Sequence, residues 1–132
     1  MDRIFLDANV LFSAAYRPGA GLARLWRLGD VLLCSSRYAL EEARVNLSAP
    51  EQQHRLLRLA RALHLFDPPA SVLPSGISLP EKDAPILLGA IAAAASHLLT
   101  GDLRHFGNYF GKRIAGILVL TPGDYLRRRS ER

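Results

Sequence analysis

The chain has 132 residues, 49% hydrophobic and 22% charged, which suits one domain over residues 1–132 with a packed core and excludes a chain too polar to fold. Its formal charge of +5 and pI of about 10 favour polyanionic partners, nucleic acid first, although a solvated basic surface gives the same balance. A single cysteine, Cys34, excludes an internal disulfide and a Cys-rich metal centre. No apolar run suits a membrane span, and the residues leading into Asp7 do not form a secretion signal, so a reducing cytoplasm is the expected setting.

Ile4–Leu6 is a short apolar run ending on Asp7, and Asn9–Tyr16 reads as a helix broken by Arg17-Pro18-Gly19. Leu22, Leu25, Trp26 and Leu28 give a second helical piece, stopped near Gly29, before the buried-strand run Val31–Cys34. Ser35-Ser36 offers an N-cap to a helix reaching about Leu47. Beyond Pro50, Glu51–Leu63 is helical, with Leu56, Leu59, Ala60 and Leu63 on one face. His64-Leu65-Phe66 is a short strand before Asp67-Pro68-Pro69, and Ser71–Pro80 has the least regular pattern. Asp83–Ala95 is apolar nearly all round and reads as an internal helix, with Pro85 tolerated in its first turn. His97–Thr100 and Gly116–Leu120 are strands, and Thr121-Pro122 opens a terminal helix over Gly123–Arg129. Strands alternate with helices and no hairpin is signalled, which implies a parallel sheet covered on both faces.

In such sheets ligands bind beyond the C-terminal strand ends. Asp7 and Asp102 stand at two of these ends. Each alone reads as a helix cap; both together point to a shared site. In the helix after Ser36, Glu41 has Arg37 and Arg44 at helical spacing and reads as solvated, whereas Glu42 has no cation in helical reach. An exposed face accounts for Glu42, and so does a bound divalent cation. Asp83 opens the most apolar helix, where it serves as an N-cap or as a fourth acid near the middle of the fold. Four separated carboxylates, with one cysteine and few histidines, suggest oxygen-only coordination of Mg2+ or Mn2+ rather than Zn2+. Such a pocket in a basic chain suits phosphodiester hydrolysis.

These segments resemble a known family. Ile4-Phe5-Leu6-Asp7-Ala8-Asn9-Val10-Leu11-Phe12-Ser13-Ala14 is similar to the opening of PIN domains. Ser36–Ala43, with Glu42, resembles their second motif, and Asp83-Ala84-Pro85-Ile86-Leu87 with Ala90 the third. Leu98–Asp102 followed by His105-Phe106 resembles the fourth, and Val119–Pro122 the closing strand and turn. The resemblance implies a three-layer α/β/α fold around a five-stranded parallel sheet. It also implies Mg2+- or Mn2+-dependent cleavage of RNA, often as a VapBC-type toxin held by a small antitoxin and often as a homodimer. It makes Asp7, Glu42, Asp83 and Asp102 the metal-binding acids, with Asn9 and Thr100 as polar support, where a turn or capping role is an equal alternative.

Many relatives carry another acid after the fourth motif; here Leu103, Arg104 and His105 stand instead, which bears on a second metal ion. Arg104 or His105 could contact phosphate, but an exposed surface role is the default expectation for each. His54, His64 and His97 fall in no catalytic spacing. Arg17, Arg104, Lys112, Arg113 and the tail arginines from Arg127 to Arg132 are candidate RNA contacts. Two competing readings are a haloacid-dehalogenase-like phosphatase, which would place a second acid where Asn9 stands, and an inactive PIN-like module that binds RNA or protein.

Overall fold

The computed structural model describes residues 1–68 and 72–130; Pro69, Ser71 and Arg132 of the segments above lie outside them. The apolar runs become strands β1 (Asp2–Leu6), β2 (Val31–Ser35), β3 (His64–Leu65), β4 (His97–Leu99), β5 (Arg113–Ile114) and β6 (Ile117–Leu120). The helices are α1 (Ala8–Ala15), α2 (Arg37–Asn46), α3 (Pro50–Ala60), α4 (Ala84–Ala92), α5 (Leu103–Phe106) and α6 (Pro122–Ser130). The helical piece expected around Leu22–Leu28 spans Gly21–Arg27 and winds as a tight 3-10 segment, pinned by Trp26 Nε1 donating to the Leu59 carbonyl at 2.9 Å.

The sheet has the order β3-β2-β1-β4-β6-β5. Five strands, from β3 through β6, run parallel, as expected, and β5 adds a sixth, antiparallel edge strand against β6. That hairpin corrects the expectation of none. Its two-residue turn holds Ala115 at φ 51° and Gly116 at φ 82°, the paired positive φ of a type I′ turn. Asn-Gly or Asp-Gly usually signals such a turn; Ala-Gly does not.

Strands buried on both faces carry the core: Ile4, Phe5, Leu6, Cys34, Leu98, Leu99 and Val119 are completely or almost completely hidden. The helices are set by local chemistry. Ser36 caps α2 by accepting from Ala39 N at 3.1 Å. At the start of α3, Gln52 reaches back to Ala49 N at 3.1 Å. α4 stops short of Ala95 because Ala94 turns into the left-handed region at φ 50°. Ala95 N then donates to Ala90 O and Ala94 N to Ile91 O, a Schellman closure with alanine where glycine is usual. The guanidinium of Arg3 takes the Ala93 carbonyl at 3.0 and 2.7 Å, which fixes this end of α4 to β1.

α4 lies very close to the sheet. A Cβ on Gly89 would sit 2.7 Å from Cζ of Phe5, so glycine sets the helix-to-strand distance there. At the other end of the strands, Tyr125 of α6 donates to Asp2 Oδ2 at 2.5 Å, and Arg129 pairs with Asp30 just before β2. Burial and the Asp2 carboxylate push the Tyr125 hydroxyl up to about 12. Among the described residues no helix is long and apolar enough to cross a membrane.

Candidate metal centre

β1 has β2 on one side and β4 on the other, so the order of connection reverses between β1 and β4. The crevice outside the C-terminal ends of strands at such a reversal is where open α/β sheets bind ligands. Leu6 is in register with Leu99, so the residues that follow, Asp7 and Thr100, emerge side by side.

Asp7 N donates to Leu99 O at 3.1 Å, continuing the ladder one residue past the strand. The Asp7 carboxylate accepts from Ala8 N at 2.6 Å, from Thr100 Oγ1 at 2.8 Å and from Asn9 Nδ2 at 3.2 Å. Asn9 also accepts from Gly101 N at 2.8 Å, and Thr100 accepts from Asp102 N at 3.1 Å. Asn9 and Thr100 thus tie the loop after β1 to the loop after β4. Thr100 is fully buried, while Asn9 lines the cleft with Asp7.

Asp7 is only 4% exposed. Burial is the largest influence on its carboxyl, lifting its pKa to about 6; the Thr100 and Ala8 hydrogen bonds oppose the rise, and the charges of Asp83 and Asp102 add to it. Asp83 is buried too, and burial again is the main cause of its raised pKa, eased by His105 and Lys82 and worsened by Asp102 and Glu42. It occupies the N-cap position of α4, yet its side chain makes no capping hydrogen bond. The carboxylate turns instead toward His105, whose Nδ1 lies 2.7 Å from Asp83 Oδ2 and 2.8 Å from Asp102 Oδ2. Asp102 caps α5 by accepting from His105 N at 3.1 Å.

Glu41 and Glu42 part company on α2. Glu41 is exposed and paired with Arg44 at 2.5 Å. Glu42 is half-buried and faces the cleft, with Asn46 one turn on donating to the Glu42 carbonyl at 2.8 Å. Tyr38, one turn back, donates to the Lys82 carbonyl at 2.7 Å, which ties α2 to the segment before α4. Burial, then the Glu42 carboxylate, raise the Tyr38 hydroxyl pKa.

The structure therefore brings Asp7, Glu42, Asp83 and Asp102 to the wall of one cleft of about 670 Å3. Asp83, Asp102 and His105 are the tightest group, each offering one ligand atom within 4.8 Å of the others. His105 corrects the surface role expected for it: only Arg104 points out. The spacing Asp102-x-x-His105 puts both on one face of a helical turn, and that signal was present in the sequence. Of the candidate RNA contacts, Arg129 lies at the opposite end of the strands, bound to Asp30. Arg17 borders a smaller groove that shares Phe12, Ser13 and Leu22 with the acidic cleft.

The residues fit a hard divalent cation. Two buried carboxyls are pushed up in pKa by burial and by their acidic neighbours, and Asp83 Oδ2 is buried without a well-formed hydrogen bond. A cluster like this lacks positive charge, and carboxylate oxygens are the donors that Mg2+ and Mn2+ take.

Fold and site together define an α/β protein of three layers with an acidic cleft at the switch point of its sheet. The chain superposes on a chain of VapBC2 from Rickettsia felis, in a crystal structure of VapBC2 bound to a DNA fragment from their promoter. The TM-score is 0.67, over 90% of this chain and 98% of that one, at 19% identity, a likeness of fold. No family model and no curated protein matches the chain by sequence.

Proposed function

We propose that the chain is a divalent-metal-dependent endoribonuclease of the PIN family and the toxin of a toxin–antitoxin pair. The observation that carries this reading is the meeting of Asp7, Glu42, Asp83 and Asp102 at one cleft in a chain of net charge +5. Acids without a cation would repel an RNA backbone; acids holding one recruit it. Asp7, Glu42, Asp83 and Asp102 would hold Mg2+ or Mn2+, which supplies an activated water and charge against the phosphate oxygens.

The chain's own residues do the positioning. Asn9 and Thr100 fix the Asp7 carboxylate by hydrogen bonds of 3.2 and 2.8 Å, so its oxygens keep their direction without a bound ion. Lys82, on the cleft wall beside Asp83, and Arg17, on the adjoining groove, are the cations best placed to meet the phosphates of a bound strand. The amide of Asn9 bridges Asp7, Thr100 and Gly101, a structural use of the position where a phosphatase of the haloacid-dehalogenase kind would need an acid.

The likeness to VapBC2, whose structure holds a promoter DNA fragment, supports a protein partner for this chain; a small antitoxin, a homodimer and a cytoplasmic setting are part of the proposal. The function is tested by incubating the purified chain with a panel of RNAs and with small phosphate monoesters, in Mn2+ and in EDTA. RNA cleavage that EDTA abolishes, with no monoester hydrolysis, is expected. Monoester hydrolysis without RNA cleavage makes the chain a phosphatase, and inertness toward both makes it a binding module.

A further inference from the structure

Resting on the reading of the cleft as a cation site, we propose that His105 is a nitrogen ligand of that cation. With Asp83 and Asp102 it forms a mixed nitrogen–oxygen set that favours Mn2+ over Mg2+.

Three residues from two separate segments send one atom each to the same point. His105 Nδ1 is 2.7 Å from Asp83 Oδ2 and 2.8 Å from Asp102 Oδ2, and the three atoms lie within 4.8 Å of one another. The Asp83 side chain is only 9% exposed, and neither its Oδ2 nor His105 Nδ1 has a hydrogen bond of proper geometry despite the short approach. Buried polar atoms nearly always have a well-formed hydrogen bond, so a 2.7 Å contact between Asp83 Oδ2 and His105 Nδ1 that lacks one points to a shared ligand beside both atoms.

An imidazole nitrogen carries at most one hydrogen and can serve one carboxylate well. Two carboxylate oxygens and one ring nitrogen converging on a point instead match what a metal ion requires: three donors from one side. The backbone prepares this convergence. Asp102 Oδ1 accepts from His105 N at 3.1 Å, closing the turn that sets Oδ2 beside the ring. Asp83 stands at the N-cap of α4 but leaves the helix uncapped, so its carboxylate is free for the cluster.

The donor set bears on metal choice. Mg2+ is bound through carboxylates, phosphates and water; Mn2+ shares that preference for oxygen, but as a first-row transition ion it accepts an imidazole nitrogen in place of one oxygen more readily than Mg2+ does. Among the described residues His105 is the histidine whose ring nitrogen groups with the acids Asp83 and Asp102, and His54, His64 and His97 belong to no such group, so a nitrogen signal at the site is attributable to His105.

The experiment uses Mn2+ itself as probe, on the full chain without RNA. Electron spin echo modulation of bound Mn2+ reports a directly coordinated 14N, and competition with Mg2+ gives the affinity ratio. The unaltered protein is expected to show 14N coupling that changes on labelling its histidines with 15N. His105→Ala is expected to lose the coupling and to weaken Mn2+ more than Mg2+, with Mn2+ affinity falling by at least roughly tenfold, the lower end of what losing even an outer-shell partner costs a metal site. Should His105→Ala fail to fold, the 15N labelling of the unaltered chain decides alone. Mn2+ bound with no nitrogen coupling overturns the proposal, leaves an all-oxygen site with His105 as a partner of its acids, and leaves the nuclease reading standing. No Mn2+ binding at millimolar metal overturns both.

Discussion

Thr100 Oγ1 donates to Asp7 Oδ2 at 2.8 Å, joining the residues that follow two neighbouring parallel strands. The bond is buried and is the largest of the influences that hold the Asp7 pKa down against burial. A sheet edge thereby keeps a carboxylate aimed into a cleft where burial alone would favour its protonated form.

Removing that donor makes the point testable. Thr100→Val should destabilise the metal-free protein by about 1–3 kcal/mol, the cost of leaving buried partners unsatisfied, and should weaken Mn2+ binding. Thr100→Ser, which keeps the hydroxyl, should retain most of the affinity. Urea unfolding in EDTA and Mn2+ titration of both variants check this; equal loss in both would assign Thr100 to packing alone.

Asp7 itself has a pKa raised from 3.8 to about 6. The folded state therefore holds this proton more tightly than the unfolded chain does. The resulting cost to stability is fully present above about pH 6, shrinks as the pH falls, and is gone below the unfolded value. In EDTA at pH 7.5, Asp7→Asn should thus be more stable than the parent by about 1–3 kcal/mol, at 1.36 kcal/mol per pKa unit. The advantage should vanish toward pH 4, and Mn2+ should raise the melting temperature of the parent only. Melting curves across pH, with and without Mn2+, measure it; a destabilised variant at pH 7.5 contradicts the assignment of strain to this carboxyl.

Neighbouring glutamates on α2 separate cleft from surface. Glu42→Gln should lower RNA cleavage by roughly 10–100-fold, as removal of metal-site support does. Glu41→Gln breaks only an exposed pair with Arg44, and should leave both cleavage and melting temperature essentially unchanged. Single-turnover rates for the two variants decide between them.

Parts of this arrangement are written plainly in the chain. The runs Ile4–Leu6, followed by Asp7, and His97–Thr100, followed by Gly101-Asp102, mark β1, β4 and the sheet end at which the acids gather. The ion-pair spacing of Glu41 with Arg44 separates it from Glu42 before any fold is known. Other parts have no local signature. β5 is two residues long and turns on Ala115-Gly116. α4 ends on an alanine in the left-handed region. Asp83 occupies a capping position without capping, and only the approach of α4 to the sheet brings it to His105. Arg129 is indistinguishable in sequence from any other basic tail residue, and its pairing with Asp30 comes from packing α6 along the sheet.

That approach of α4 rests on Gly89. An alanine Cβ there would lie 2.7 Å from Phe5 Cζ and 3.0 Å from Cε2, and Phe5 is completely buried, so the ring has nowhere to swing. Alanine gains about 1 kcal/mol in helix propensity, against about 1–3 kcal/mol for overpacking. Gly89→Ala should therefore be destabilising on balance and Gly89→Val more so, both with weaker Mn2+ binding as Asp83 shifts. Urea midpoints and Mn2+ titration read both effects; a stabilised Gly89→Ala would show that the helix yields freely.

If the acids of the cleft hold the cation that cleaves RNA, then Mn2+ occupancy and RNA cleavage rate, measured on one preparation across a Mn2+ series, should follow a single curve. EDTA should abolish both, and Asp7→Asn, folded by its melting curve, should not cleave at any Mn2+ concentration. Cleavage that persists in EDTA or in Asp7→Asn, or Mn2+ that fills the site with no cleavage of any RNA in the panel, would sink the nuclease reading.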